Sequence, residues 1–479
     1  MKKELATLVA CAVSLPLFAI VAKDAMTTDA TVVMTSLEAR QRYPWNGKVD
    51  IDFTFTSTIP EAFAFIHFKA EYKDANGETV SVPMKTFDQF TTAFCTNAGT
   101  YRVTWDSTAD AAGLVVTNLK YTVTANMAKY MVIDLSKGKN GPWPISYYED
   151  VPAFAGVEKG KWDDYHKTTN LVLRLIQPGS FTQAWNVGGD GTAMANNRLQ
   201  IYAHTAILTK PFYMAVFELT QEQMYLIKGS YGVAGQIFTG GNRKLRPTID
   251  TYALLRGSGT VSPTINWPLT GSAVAEDSDI WKIRKNTGSD GFDIPTESEW
   301  EYVCRTGGTA SGFWNDASDA GISLDTAFTT LVNGNAAAER LGRYQHNGGM
   351  VKTDNGGGTY TYTEADKSSD ESLGTAVVGS YLPNAWGIYD MHGNVAEWCL
   401  DARYAGDTPY YAWVKDSVVV DDAGATIANW TAYTARIHRG GKWSSDAAGC
   451  AIPLRKYSNQ SQGNGVRLCW RFPTPAQAE

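Results

Sequence analysis

From about residue 31 to residue 128, apolar and polar positions alternate. Val49, Ile51, Phe53 and Phe55 are apolar with Asp50, Asp52 and Thr54 between them, and Tyr101, Val103 and Trp105 repeat the pattern. A period of two turns one face of a strand to a core and the other to water. Between Tyr72 and Val80, Asn76-Gly77 supplies the positive φ angles of a tight hairpin turn. Short runs at this spacing predict a small antiparallel β-sandwich, immunoglobulin-like, over residues 26–128. Its aromatics give no sign of an exposed row, so a spacer is favoured over a carbohydrate- or wall-binding module.

Beyond a connecting segment at 129–165 the periodicity fades, and residues 166–479 read as a loop-rich α+β domain. Two helix starts stand out. Thr220-Gln221-Glu222-Gln223 and Thr296-Glu297-Ser298-Glu299 both have the Ser/Thr-x-x-Glu/Gln form, in which the Thr hydroxyl and the third residue's side chain satisfy each other's backbone N–H. The Gly-, Ser- and Asp-rich stretches 257–291, 307–321 and 348–374 are too long for ordinary connections and read as loops around a site or as surface insertions.

Lys2 and Lys3 precede an apolar run from Leu5 to Ala22 that ends at Lys23-Asp24, the layout of a secretory signal over residues 1–22. The mature protein is expected to be exported, whether periplasmic, cell-surface or extracellular, and no later segment is apolar enough to span a bilayer. Leu8-Val9-Ala10-Cys11 leaves lipidation at Cys11 as an alternative. With 44% hydrophobic and 19% charged residues among 479, the chain is globular in composition. A net charge of -7 and the lack of any Lys/Arg block exclude nucleic acid as a partner.

Cleavage would leave Cys95, Cys304, Cys399, Cys450 and Cys469, an odd number for an oxidising compartment. There is no Cys-x-x-Cys and no His pair at ligand spacing, which argues against zinc or facial two-His iron; His166 and His204 read as packed or surface residues.

Four ordered blocks carry a family resemblance: Lys210-Pro211-Phe212-Tyr213 leading into Glu218-Leu219-Thr220-Gln221; Ile294 to Tyr302; Asn384 to Trp398; and Arg439-Gly440-Gly441-Lys442-Trp443 followed by Gly465-Val466-Arg467. From Asn170 to Phe472 the chain resembles the formylglycine-generating enzymes, or sulfatase-modifying factors. The resemblance implies a compact fold related to C-type lectin-like folds and, in the active enzymes, oxidation of a sulfatase cysteine by copper and oxygen. It also implies a Cu(I) site of two thiolates spaced Cys-x-x-x-x-Cys. The second of these falls on Cys450, but the first falls on Ser445, a hard and weak donor, and a family Ser is replaced by Lys442, so copper is not expected. Trp398 matches a pocket aromatic. The same resemblance implies a structural calcium site from main-chain oxygens of His392, Gly393 and Val395 with the Glu397 carboxylate, the alternative being that Glu397 pairs with an Arg. It further implies a Cys304–Cys469 disulfide. Cys399–Cys450 is then expected as a second bridge, with Cys95 left as the odd thiol.

The expectation is thus an exported two-domain protein whose second domain has lost the oxidase site and acts as a binding or scaffold module. The alternative is a sulfatase-modifying oxidoreductase with an altered site, its partner a sulfatase.

Overall fold

The computed structural model describes residues 32–44, 46–59, 61–88, 94–116, 118–152, 160–184, 203–257, 274–308, 333–402, 418–421 and 435–472. The expected signal segment and Cys11 lie outside these. The chain divides into two units, Met1–Ala128 and Lys129–Glu479. No described helix is long and apolar enough to cross a membrane.

The first unit is built from β1 (Val32–Gln41), β2 (Lys48–Ser57), β3 (Glu61–Lys73), β4 (Thr79–Val82), β5 (Phe94–Asn97), β6 (Gly99–Asp106), the single turn α1 (Ser107–Asp110) and β7 (Lys120–Met127). The strands form two antiparallel sheets, β1-β2-β6 and β4-β3-β5, with β7 also paired to β3. The alternating apolar positions meet between the sheets. Phe53 on β2 meets Phe68 on β3 edge-on at 5.7 Å, and Trp105 on β6 meets Tyr121 on β7 at 6.4 Å. The tight turn expected at Asn76-Gly77 is a longer one, between Lys73 and its partner Thr79. The Asp74 carbonyl accepts from Gly77 N–H, and only Gly77, at φ +80°, is left-handed, because the Asp74 carboxylate already holds the N–H groups of Asn76 and Glu78.

The second unit begins earlier than the sequence suggests. Residues 129–165 do not merely connect: β8 (Tyr130–Asp134) and β9 (Ile145–Tyr148) belong to its main sheet, with Leu171 opposite Ile133 and Val132 opposite Ser146. That sheet is completed by β10 (Asn170–Ile176), β13 (Phe212–Ala215), β15 (Phe292–Asp293) and β23 (Cys469–Arg471), in the order β15-β23-β13-β10-β8-β9. Around it lie β11 (Gly179–Gln183) and β12 (His204–Leu208) with β19 (Val418–Val420), β14 (Asp250–Thr251) with β22 (Gly463–Asn464), the hairpin β16 (Val351–Asp354) and β17 (Tyr360–Thr363), and β18 (Glu397–Ala402), β20 (Ala435–Arg439) and β21 (Lys456–Asn459). Among described residues the unit is mostly β, with five short helices: α2 (Gln221–Lys228), α3 (Tyr252–Arg256), α4 (Asp279–Thr287), α5 (Glu297–Cys304) and α6 (Ala338–Leu341).

Both capping boxes form. Thr220 and Gln223 exchange hydrogen bonds of 3.0 and 3.2 Å at the start of α2, and Thr296 and Glu299 exchange bonds of 2.8 and 3.1 Å at the start of α5. Helix α4, capped by Ser278, lies inside a stretch read as loop.

Every residue of α5 is buried, charged ones included. Its carboxylates are each matched by at least one arginine from far along the chain, and Glu301 also by its neighbour Arg305. Glu297 takes Arg455 at 2.7 Å and Arg439 at 3.1 Å; Glu301 takes Arg305 at 2.8 Å and also Arg439; Glu299 takes Arg471. For Glu301, burial works against ionisation, but the Arg439 and Arg305 guanidinium groups outweigh it and hold the carboxyl below its ordinary value. The Ile294–Tyr302 block is therefore a structural clamp.

Candidate functional site

The Gly393 turn and the Gly440-Gly441 segment are knitted together by backbone. Gly393 N–H donates to Gly440 O at 2.8 Å, Asn394 N–H to Arg343 O at 2.7 Å, and Trp443 N–H to Asn394 O at 2.8 Å. Gly441 sits at φ +71°, and a Cβ there would lie 2.7 Å from the Cys450 sulfur, so only glycine lets the two segments approach.

Glu397 does not face an open oxygen cage. Its carboxylate accepts from Arg467 Nε at 2.9 and 3.0 Å, from Arg467 Nη2 at 2.6 Å and from Trp300 Nε1 at 2.7 Å. Of the other expected ligands, the His392 carbonyl is pressed against Gly342, where a Cβ would come within 1.8 Å. Beside them, Val395 N–H donates to Glu218 at 3.1 Å. This donor set does not fit calcium, because a buried guanidinium already holds the one carboxylate. At His392, Gly393, Val395 and Glu397 the structure shows an ion-paired turn, with Glu397 held by an Arg as in the alternative reading. Among described residues no group of three or more His, Cys, Asp or Glu is arranged to hold a metal.

Ser445 and Cys450 are close in sequence but face different surroundings. Ser445 Oγ accepts from Lys442 N–H at 3.1 Å and lines an open cleft. Cys450 is fully buried in an apolar cluster with Ala338, Leu341, Tyr344 and Leu454, its sulfur 4.0 Å from the Lys442 carbonyl. The pair does not fit Cu(I): there is one thiol, it is turned into a core, and its partner is a hydroxyl already bonded to backbone.

Trp398 is corrected from pocket aromatic to core residue. It is fully buried, its Nε1 donates to Asp250 O at 2.9 Å, and its ring packs edge-on against Tyr252 and His438.

Neither expected disulfide forms. All five described cysteines are buried thiols. Cys304, Cys399 and Cys469 share the central core, whereas Cys450 belongs to a separate cluster. Cys469 sits in β23 opposite Asp293 and Met214, and its thiol donates to Asp293 O at 3.4 Å rather than joining Cys304. Burial pushes the Cys304, Cys399 and Cys469 thiols well up, so little thiolate forms. In the first unit, burial raises Cys95 to about 11.

The open cleft beside Ser445 has a volume of about 530 Å³ and shares Gln236, Ala396, Lys442, Gly463 and Asn464 with a smaller one of about 210 Å³. Residues of four chain regions line it, and no sequence motif points to Lys456, His438, Gln462 or Asn464 among them. Only the Gly463-Asn464-Gly465 string, just ahead of Arg467, could have signalled Asn464. His438 bonds Ser458 Oγ through Nε2 at 3.1 Å. Burial first, then the charges of Lys456 and Lys442, push it down to about 3, so the imidazole is neutral at physiological pH. It is too weak a base to activate Ser458.

Behind the turn lies a buried acid pair. Glu218 accepts from Asn394 Nδ2 at 2.6 Å, and Asp390 accepts from Gly379 N–H at 2.6 Å. Burial, reinforced by mutual repulsion and by Glu397, raises Glu218 well above the carboxylate range, and burial raises Asp390 to about 6. Arg467 and Lys167 oppose the shift in Asp390. For an acid raised by folding, the stabilising contribution is complete below its unfolded value near 3.8 and is lost as pH rises through its folded value. Asp390→Asn cannot ionise, so its melting temperature relative to the wild type should climb between pH 4 and pH 7. Parallel thermal melts across that window check this, and a constant offset would contradict it.

Residues 163–472 match the family described as the sulfatase-modifying factor enzyme 1-like domain, and the chain belongs to that family. Among curated proteins it is similar to the formylglycine-generating enzyme of Thermomonospora curvata, 29% identical over 157 residues, 33% of this chain and 40% of that one. That of Streptomyces coelicolor is 30% identical over 151 residues, 31% and 35% of the two chains. Chaperone protein LppX of Paenibacillus barcinonensis is 24% identical over 186 residues, 39% and 49%. The chain thus spans about half or less of the length of these relatives. Among solved structures, Treponema denticola variable protein 1 aligns at 20% identity with a TM-score of 0.39, over 63% of this chain and 95% of that one.

Proposed function

We propose that the second unit is a ligand-binding module of an exported protein, in which the family's two-thiolate chemistry has been given up. One observation carries this reading: at the paired positions stand Ser445, bonded to the Lys442 backbone, and Cys450, buried among apolar side chains away from the cleft. A lone buried thiol supplies neither the soft two-sulfur ligand set nor the access to oxygen that the oxidation needs. The similarity to a relative named as a chaperone supports a role without that chemistry. Export rests on the Lys2-Lys3 and Leu5–Ala22 pattern, and the β-sandwich would serve as spacer.

The second reading, a sulfatase-modifying oxidoreductase, is favoured by relatives named as formylglycine-generating enzymes. The two separate on one experiment. The full chain is titrated with Cu(I) against a competing chelator, then incubated with copper, oxygen, reductant and a Cys-x-Pro-x-Arg peptide. The expected result is no stoichiometric Cu(I) and an unchanged peptide mass. A one-to-one complex lost in Cys450→Ala, or conversion of the peptide thiol to an aldehyde, would establish the enzyme instead.

A further inference from the structure

Two side chains of the larger cleft end in polar groups without an ion-pair or hydrogen-bond partner among the described residues. The first is Lys442. Its stem is exposed, and its ammonium has no carboxylate within ion-pair distance among the described residues. Crowding by the cleft walls and the charge of Lys367 pull its pKa down, while Glu364 opposes this from the smaller compartment. Glu364 is itself engaged with Lys367. The second is Asn464. It is 7% exposed, it lines both compartments, and its Nδ2 has no hydrogen-bond partner. A buried amide donor left unmade is a standing cost; Nδ2 is shut off from solvent, so the side chain must rotate to present it before an acceptor in the cleft removes that cost.

The lining of the larger compartment adds a sign. Lys442 and Lys456 contribute two positive charges, and no described residue lining it is a carboxylate, in a chain whose net charge is -7. The remaining wall is rich in amides and hydroxyls, including Gln236, Gln462 and Ser458. A cationic ligand would be repelled here, and a purely apolar one would leave Asn464 unsatisfied.

We propose that this compartment binds an oxyanion carried by a hydroxyl-rich small molecule, with Lys442 as its counter-charge and Asn464 Nδ2 as a directed donor. The lining amides and hydroxyls then receive the ligand's hydroxyl groups, and the volume of about 530 Å³ accommodates a molecule of sugar size. The inference rests on the binding-module reading and names its ligand class. A carboxylate on an acidic sugar and a phosphate ester share this chemistry, so the test distinguishes them.

Calorimetric titrations of the full chain at constant ionic strength use D-glucuronate, inorganic phosphate and neutral D-glucose as probes. At least one anion should bind, with glucose weaker by about tenfold or more, as for loss of a charge-assisted hydrogen bond. Phosphate alone would put the charge on a phosphate group, and glucuronate alone on a carboxylate. Lys442→Gln should weaken the anion by about tenfold or more while Lys442→Arg keeps most of the affinity, and Asn464→Ala should weaken it several-fold. Because Lys442 is exposed, its variants should melt with the wild type. Absence of heat with both anions at millimolar concentration, or full affinity in Lys442→Gln, would overturn the proposal. Either result would leave the copper measurement standing, so the two readings fail separately.

Discussion

Arg467→Met is expected to be the most damaging single substitution in the second unit, and more damaging than Glu397→Gln at the other end of the same ion pair. Arg467 is fully buried and holds both oxygens of Glu397, while its remaining N–H groups donate to the carbonyls of Ala215 at 3.0 Å and Tyr389 at 2.9 Å. Removing it leaves Glu397, Glu218 and Asp390 buried together without the guanidinium that acts on all three, while Lys167 still acts on Asp390. Removing the Glu397 charge instead leaves Arg467 with Glu218 and Asp390 still acting on it. Breaking a buried pair by deleting one partner costs about 3–5 kcal/mol, and Arg467→Met should lie at or above the top of that range. At roughly 2 °C per kcal/mol for a large domain, its melting temperature should drop by about 10 °C. Thermal melts of both variants, with calcium and with chelator, test this. The same losses in both conditions are expected; a loss in Glu397→Gln that appears only with calcium would restore the calcium site.

Gly393→Ala should be nearly as severe, for a reason of shape rather than charge. Gly393 is at φ +80°, and a Cβ there would stand 1.9 Å from the Arg343 carbonyl oxygen, which is itself bonded to Asn394 N–H. Backbone on both sides leaves no flexible side chain to give way. Gly356, at φ +83° with nothing within 4 Å, is the control. There Ala should cost only the backbone strain of about 1–2 kcal/mol, whereas at Gly393 the turn must also move. Since this turn places Val395 and Ala396 in the cleft wall, Gly393→Ala should lose ligand binding as well as stability. Equal melting temperatures for the two alanine variants would contradict the packing argument.

What could be read from the sequence follows the range of the interactions involved. The capping boxes at Thr220 and Thr296 are complete within four residues, and both helices form where the pattern puts them. The alternation through Val49 to Phe55 is likewise local, and β2 follows it. Helix α4 was hidden because Ser278 is a common cap and the flanking glycines suggested a loop. The start of the second unit was misplaced because β8 shows its purpose only when paired with β10. The site suffered most. Glu397 reads as a ligand until Arg467, 70 residues later, is brought against it. The cleft around Lys442 and Asn464 draws on segments that no single motif spans.

The late arginines have a consequence for the order of events in a newly made chain. Glu299 and Glu301 on α5 wait 172 and 138 residues for Arg471 and Arg439, and β23 enters the sheet between β15 and β13 only after everything else in that sheet has been synthesised. Until then, packing α5 would bury uncompensated charge, so a partly synthesised chain gains little by collapsing early. The second unit should close late and as a whole. Under the export reading, that delay keeps the polypeptide threadable until most of it has crossed the membrane.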